Sequence, residues 1–246
     1  MRQSAEAATG RAAQRVSPAQ PVSPAQPVKR VRRDAGQRVE RFDVAERAVH
    51  WATAALVLTL IVTGAILYVP SLSVAVGRRL TVEDTHLWVG TAVLVPLLVG
   101  ALGPWGRKLR RDIGQMGWLS AHELRWLRTW GKQGREAIGK FNPGQKLNSA
   151  AVAGMLSVLL VTGLILRWGN FLPVSVRTGA TFVHDVFAFA LLGLVVGHVT
   201  FALTHPRALV AMLAGWVSPG WVKRHAPAWQ AAPTTQRKEE EPPKCN

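Results

Sequence analysis

Four long apolar blocks dominate the chain, separated by segments in which charged and polar residues collect. They run over residues 48–69, 85–105, 147–168 and 181–204. Each exceeds the run of about 18 residues that lets a helix cross a bilayer. None alternates apolar and polar positions, so an outer-membrane barrel is not expected. Within lipid, helices satisfy their own backbone hydrogen bonds. The pattern therefore predicts an all-α fold, an integral membrane four-helix bundle. Pro96 falls inside the second block, where neighbouring helices compensate for the hydrogen bond it removes.

The stretch from Gly106 to Lys146 is too long for a simple turn. Met116, Leu119, Trp126, Leu127 and Trp130 fall near one face of a helix, with Arg125, Arg128 and Lys132 close by. An aromatic and basic amphipathic helix suits the membrane interface. A second such stretch follows the last block, with Leu209, Met212, Leu213 and Trp216.

Charge then gives the topology. The 246 residues carry a formal net charge of +16, which by itself would suit a nucleic-acid partner. Its distribution argues against one. Ten Lys and Arg precede the first block and ten lie between the second and third, but only Arg78 and Arg79 separate the first two blocks. Arg167 and Arg177 lie at the junction of the last two. Basic and basic-poor connections thus alternate, and the basic side is expected to be cytoplasmic. The reading is a multi-pass protein of the cytoplasmic membrane with both termini inside and with its interfacial helices on that side. Cys245 is the only cysteine, so this chain alone offers no internal disulfide, thiolate zinc site or iron–sulfur cluster. Residues 1–38, with Val-Ser-Pro-Ala-Gln-Pro written twice, lack the apolar surface to offset ordering and are expected to be a disordered cytoplasmic extension. Residues 231–246 are expected to be a disordered tail, leaving 39–230 as the membrane domain.

Seven histidines are present, four of them inside or at the ends of the blocks: His50, His86, His184 and His198. Ionisable groups there are costly and point to function. His50 opens the first span on the cytoplasmic side, whereas His86 and His184 enter from the outer side. His198 lies fourteen residues beyond His184, about 21 Å along a helix and close to four full turns, so both occupy one face. Depth then pairs His50 with His198 and His86 with His184. Two imidazole pairs at two levels of a dry bundle suit two six-coordinate haem irons. Gly64, Gly90, Gly163, Gly193 and Gly197 leave room for macrocycles or for close helix packing. His122, His205 and His225 have no partner at matching depth and receive no ligand role.

At these residues the sequence resembles the gamma (cytochrome b) subunit of membrane-bound respiratory formate dehydrogenase, within the bacterial b561 and nickel-hydrogenase cytochrome b superfamily. The resemblance rests on Glu46-Arg47-Ala48-Val49-His50-Trp51, on Gly139-Lys140-Phe141-Asn142-Pro143-Gly144-Gln145-Lys146, and on His184 and His198 at their spacing. It implies two haem b, the cytoplasmic-side iron held by His50 and His198 and the outer-side iron by His86 and His184. It also implies a quinone pocket (menaquinone or ubiquinone) using Asn142 and Gly144. The implied partners are an iron–sulfur subunit and a molybdenum or tungsten catalytic subunit, on which the formate chemistry would take place. Read from the residues alone, Asn142-Pro143-Gly144 is a turn just before the third span. The expected function is electron relay to quinone. The rivals are the cytochrome b subunit of a nickel hydrogenase, a thiosulfate reductase or a stand-alone b561-type oxidoreductase. A haem-free transporter relaying protons through histidines is the rival of another class.

Overall fold

The computed structural model describes residues 38–229. The segments expected to be disordered, 1–38 and 231–246 with Cys245, lie outside the described residues apart from Arg38. Twelve elements follow in order: β1 (Val39–Glu40), α1 (Val44–Tyr68), α2 (Pro70–Val76), α3 (Arg79–Ala92), α4 (Val95–Leu102) and α5 (Arg107–Met116). Then come α6 (Ala121–Arg128), α7 (Pro143–Trp168), α8 (Val174–Thr204), α9 (Pro206–Ala214), β2 (Trp216–Val217) and α10 (Pro219–His225).

Four helical units are long and apolar enough to cross a membrane: α1, α3 with α4, α7, and α8. Their most apolar windows have mean hydropathy between 1.8 and 2.3, yet at most 11% of any such window is buried inside the chain. Leu58, Val62, Leu98, Val161, Phe182, Phe189 and Val196 all point outward. Apolar exposure of this kind is stable where the solvent is lipid. The protein is an all-α membrane bundle in which α1 lies against α3 and α7 against α8, with α3 meeting α7 between the two pairs. Pro96 occupies the first turn of α4, and Val93 and Leu94, which join α3 to α4 in the second span, keep helical backbones.

Every helix begins earlier than its apolar block. α1 starts at Val44 because Asp43 caps it: its carboxylate accepts from the Glu46 N–H at 2.8 Å, and the Glu46 carboxylate accepts from the Asp43 N–H at 2.7 Å. α7 starts at Pro143 through the same reciprocal arrangement between Asn142 and Gln145. Asn142-Pro143-Gly144 is thus the cap and first turn of the third span rather than a separate turn before it.

The bundle has two unlike ends. The distal end carries only α2 and the short connections Val69–Arg78 and Gly169–Pro173. The proximal end, where α1 and α7 begin and α4 and α8 finish, carries α5, α6, α9, α10 and the antiparallel β1–β2 pair. The central amphipathic segment is two helices, not one. Gly117 ends α5, and Ser120 with Glu123 forms a new capping box for α6. Met116 and Leu119 therefore do not share a helix with Trp126 and Leu127, and Trp130 lies past the end of α6 at φ 52°. Likewise α9 ends at Gly215, whose φ of 87° favours glycine, and Trp216 passes into β2. The Gly215 carbonyl accepts from the backbone N–H groups of Arg41 and Phe42, which ties the α1 approach to the carboxyl-terminal segment.

Two apolar clusters follow. Phe42, Ala211, Val217, Trp221 and Ala226 pack at the proximal end. Val57, Val93, Leu156 and Leu191 fill the middle of the bundle. Leu191 is seven residues from both His184 and His198, so two helical turns of apolar packing separate the two histidine levels.

Candidate cofactor-binding site

Each transmembrane histidine meets one other. The ring centres of His50 on α1 and His198 on α8 are 6.2 Å apart, with their planes at 53°. Those of His86 on α3 and His184 on α8 are 6.3 Å apart, with planes at 65°. The first pair lies towards the proximal end and the second towards the distal end. Helix α8 supplies one member of each pair because fourteen residues bring its face round almost completely.

The spacing tests what such pairs can hold. Two imidazoles on opposite sides of one metal, each bonded at about 2.0 Å, have ring centres roughly 6 Å apart. Direct imidazole–imidazole hydrogen bonding or stacking would bring the rings closer. Among the described residues no three His, Cys, Asp or Glu side chains converge on one metal position. Two axial nitrogens and no further protein donor are what a haem iron requires, since the macrocycle supplies the other four. The residues fit the group.

The five glycines named for macrocycle space behave differently. A Cβ on Gly64 would stand 3.4 Å from His86 Cε1, and one on Gly163 would stand 3.5 Å from His184 Cε1. Gly90 faces Leu60 and serves helix packing, while Gly193 and Gly197 face open space on the histidine-bearing helix. Thr63 and Thr162, absent from the sequence-derived site, hydrogen-bond the distal histidines: Thr63 Oγ1 is 2.8 Å from His86 Nδ1, and Thr162 Oγ1 is 2.9 Å from His184 Nδ1. The signal that finds them is a repeat, Val62-Thr63-Gly64 in the first span and Val161-Thr162-Gly163 in the third.

Below the proximal pair lies a buried ion cluster that sequence reading also missed. Lys140 reaches Glu46 at 2.7 Å and also pairs with Asp112, and the side chains of all three are at most 6% exposed. Lys108 stands 3.7 Å from Glu46 at the edge. Arg41 Nη2 donates to the Lys140 carbonyl at 3.2 Å, and its guanidinium lies over Trp221. Burial pulls Arg41 down to about 10, opposed by the charge of Asp112, so it remains a cation at neutral pH. The cluster joins α1, one turn before His50, to α5 and to the segment that leads into Asn142. Glu46 and Lys140 sit inside the two motif pieces quoted above, but their partnership across 94 residues has no local pattern.

Asn142 lines a cleft of about 630 Å³ at the proximal end, together with Arg41, Gln145, Thr204, His205 and Trp221. Because its Oδ1 caps α7, its amide nitrogen is the free donor. Gly144 lies in the first turn of α7, outside the cleft lining. A Cβ there would press to 3.3 Å from Asn142 Oδ1 and crowd the cap. His205 and His225 stack on Phe201 and Trp221 and border the same cleft. Elsewhere on this end, Glu123 binds Lys146 at 2.7 Å, fastening α6 to α7. Burial alone would raise the Glu123 carboxyl, but Lys146 and the Ser120 N–H outweigh it and hold it below the usual carboxylate range.

Proteins similar to this chain carry cytochrome names. The chain is 28% identical over 220 residues to the formate dehydrogenase cytochrome b556(fdo) subunit of Escherichia coli K12, covering 82% of this chain and 97% of that one. It is 23% identical over 216 residues to the formate dehydrogenase cytochrome b556 subunit of Haemophilus influenzae, covering 83% and 87%. The nitrate-inducible cytochrome b556(Fdn) subunit of Escherichia coli K12 matches at 30% over 95 residues, 37% of this chain and 44% of that one. The sequence model for prokaryotic cytochrome b561 matches residues 41–215, which include all four membrane histidines, both threonines and the ion cluster. The chain belongs to the prokaryotic cytochrome b561 family.

Proposed function

We propose that this chain is the dihaem cytochrome b subunit of a formate dehydrogenase complex, carrying electrons from an iron–sulfur partner through the membrane to quinone. The carrying observation is the pair of His–His sites at two depths, each spaced for one metal between two imidazoles. His50 and His198 would hold the proximal haem, and His86 and His184 the distal one. Haem at both levels supplies one-electron relay along the bundle. The chain's own work is to orient those four imidazoles, to exclude water from the layer of Val57, Val93, Leu156 and Leu191, and to shape the quinone site. The relatives' names support the formate dehydrogenase assignment over the other enzymes of the superfamily.

The proximal cleft is the proposed quinone site. Asn142 offers its amide N–H to a quinone carbonyl, while Gly144 beside it keeps the cap uncrowded. His205, Arg41 and Arg224 border the cleft as polar groups beside an aromatic wall of Trp126, Phe201 and Trp221. Because Asn142 is also a helix cap, the informative variant is Asn142→Asp, which preserves capping and removes the donor. Quinone reduction by donor-reduced protein should slow by about 3–10-fold, the worth of one neutral hydrogen bond. Asn142→Ala should slow it similarly and also lower the thermal midpoint. Wild-type quinone kinetics in Asn142→Asp would leave the residue a cap and nothing more.

The proximal end is proposed to face the cytoplasm, because it carries the basic segments. An impermeant thiol reagent applied to intact cells should label a cysteine placed at Arg78 or Gly77, after Cys245 is replaced, and should spare one placed at Gln133. Labelling at Gln133 alone would invert the chain and the direction of charge movement.

A further inference from the structure

We infer that Thr63 and Thr162 lock His86 and His184 in the tautomer that carries its proton on Nδ1, leaving Nε2 of each ring free for iron, and that the proximal pair is built without this device. The inference rests on the distal haem proposed above.

A hydroxyl has one proton to give. Thr63 Oγ1 lies 2.7 Å from the Thr59 carbonyl and 3.3 Å from that of Leu60, and carbonyls only accept. The Thr63 proton therefore goes to its own helix. What remains towards His86 Nδ1, 2.8 Å away, is a lone pair, and that contact is attractive only when Nδ1 bears hydrogen. A neutral imidazole protonated on Nδ1 presents an unprotonated Nε2. Thr162 repeats each step: Oγ1 donates to the Val158 carbonyl at 2.8 Å, with that of Leu159 at 3.2 Å, and faces His184 Nδ1 at 2.9 Å. Thr63 and Thr162 are 8% and 7% exposed, so water does not compete for the bond.

The following glycine completes the unit. Gly64 and Gly163 face the Cε1 edge of the same rings, where an added Cβ would already reach van der Waals contact at 3.4 and 3.5 Å, so the threonine fixes one ring nitrogen and the glycine leaves space beside the ring. The whole run is duplicated, Val-Thr-Gly-Ala-Ile-Leu over 62–67 and Val-Thr-Gly-Leu-Ile-Leu over 161–166. Among the described residues the ring nitrogens of His50 and His198 have no such hydroxyl partner. Hydrogen bonding at the second nitrogen fixes ring orientation and raises ligand basicity. More basic ligands favour ferric iron, so the two threonines lower the distal potential relative to the proximal one. That shift favours transfer from the distal towards the proximal level.

The test uses the full-length chain purified with its haem, followed by redox titration and low-temperature electron paramagnetic resonance. Thr63→Val and Thr162→Val keep the side-chain shape and delete the hydroxyl. Each should raise the midpoint potential of one and the same haem and alter its low-spin signal, leaving the other haem unmoved. Thr63→Ser and Thr162→Ser should restore both readouts. Loss of that haem in the valine variants with full occupancy in the serine variants carries the same conclusion. Wild-type potentials and signals in both valine variants would overturn it, and so would serine variants that fail as the valine variants do. His86→Ala separates this from the underlying assignment: if that variant keeps every haem, the distal ligand reading itself is wrong.

Discussion

Replacing His198 by alanine is expected to remove one haem from the chain and leave the other in place. Its ring stands opposite His50 on α1 across a 6.2 Å separation of centres, so an iron held at that level would depend on both helices. Deleting one imidazole leaves at best a single axial donor, since among the described residues no third His, Cys, Asp or Glu joins the pair. His50→Ala should give the same loss. His86→Ala and His184→Ala should remove the distal haem instead, and the two classes should lose spectrally different components. The apolar layer around Leu191 keeps the levels separate, so loss at one should not carry to the other. The check is haem content per chain with a reduced-minus-oxidised spectrum for each variant. Four variants of unchanged content would place iron elsewhere or nowhere.

Lys140→Met is expected to destabilise the proximal end by about 3–5 kcal/mol, the usual consequence of removing one partner from a buried charge pair. Lys140 is the cation that Glu46 and Asp112 share, and methionine would leave two carboxylates facing each other out of water. Lys108, 3.7 Å from Glu46 and partly exposed, compensates only in part. Lys140 also stands two residues before Asn142, so the cap of α7 and the cleft should lose definition together. Thermal unfolding in detergent should show a lower midpoint, and quinone reduction should fall as well. A further Asp112→Asn change removes one of the stranded charges and should recover part of the stability. A single variant as stable as the wild type would mean that the cluster is solvated and contributes little.

The sequence shows the parts of this molecule that have a local or periodic signature. Four apolar runs are legible because lipid demands them residue by residue, and His184 and His198 share a face because fourteen residues nearly close four turns. Pairing them with His86 and His50 needs only depth. What hydropathy reports, however, is where lipid ends rather than where a helix ends. Asp43 with Glu46 and Asn142 with Gln145 start helices inside polar sequence, which is why α1 and α7 begin before their blocks. The central amphipathic segment breaks at Gly117–Ser120, a feature that a capping-box search would find and a helical-wheel reading does not. The β1–β2 pair joins Val39 to Val217, and Lys140 joins Glu46, across separations for which a single sequence carries no periodicity. Thr63 and Thr162 escape notice because threonine in a membrane helix ordinarily bonds back to its own backbone, as these also do. Only the neighbouring imidazole makes them different.

The most direct measurement is the ratio of haem b to polypeptide in the purified full-length chain, read from a pyridine haemochrome spectrum against quantitative amino-acid analysis. Two haems per chain, resolving into two components on redox titration, is the predicted result. A ratio of one, or a protein that folds in the membrane without haem, would contradict the two-site account.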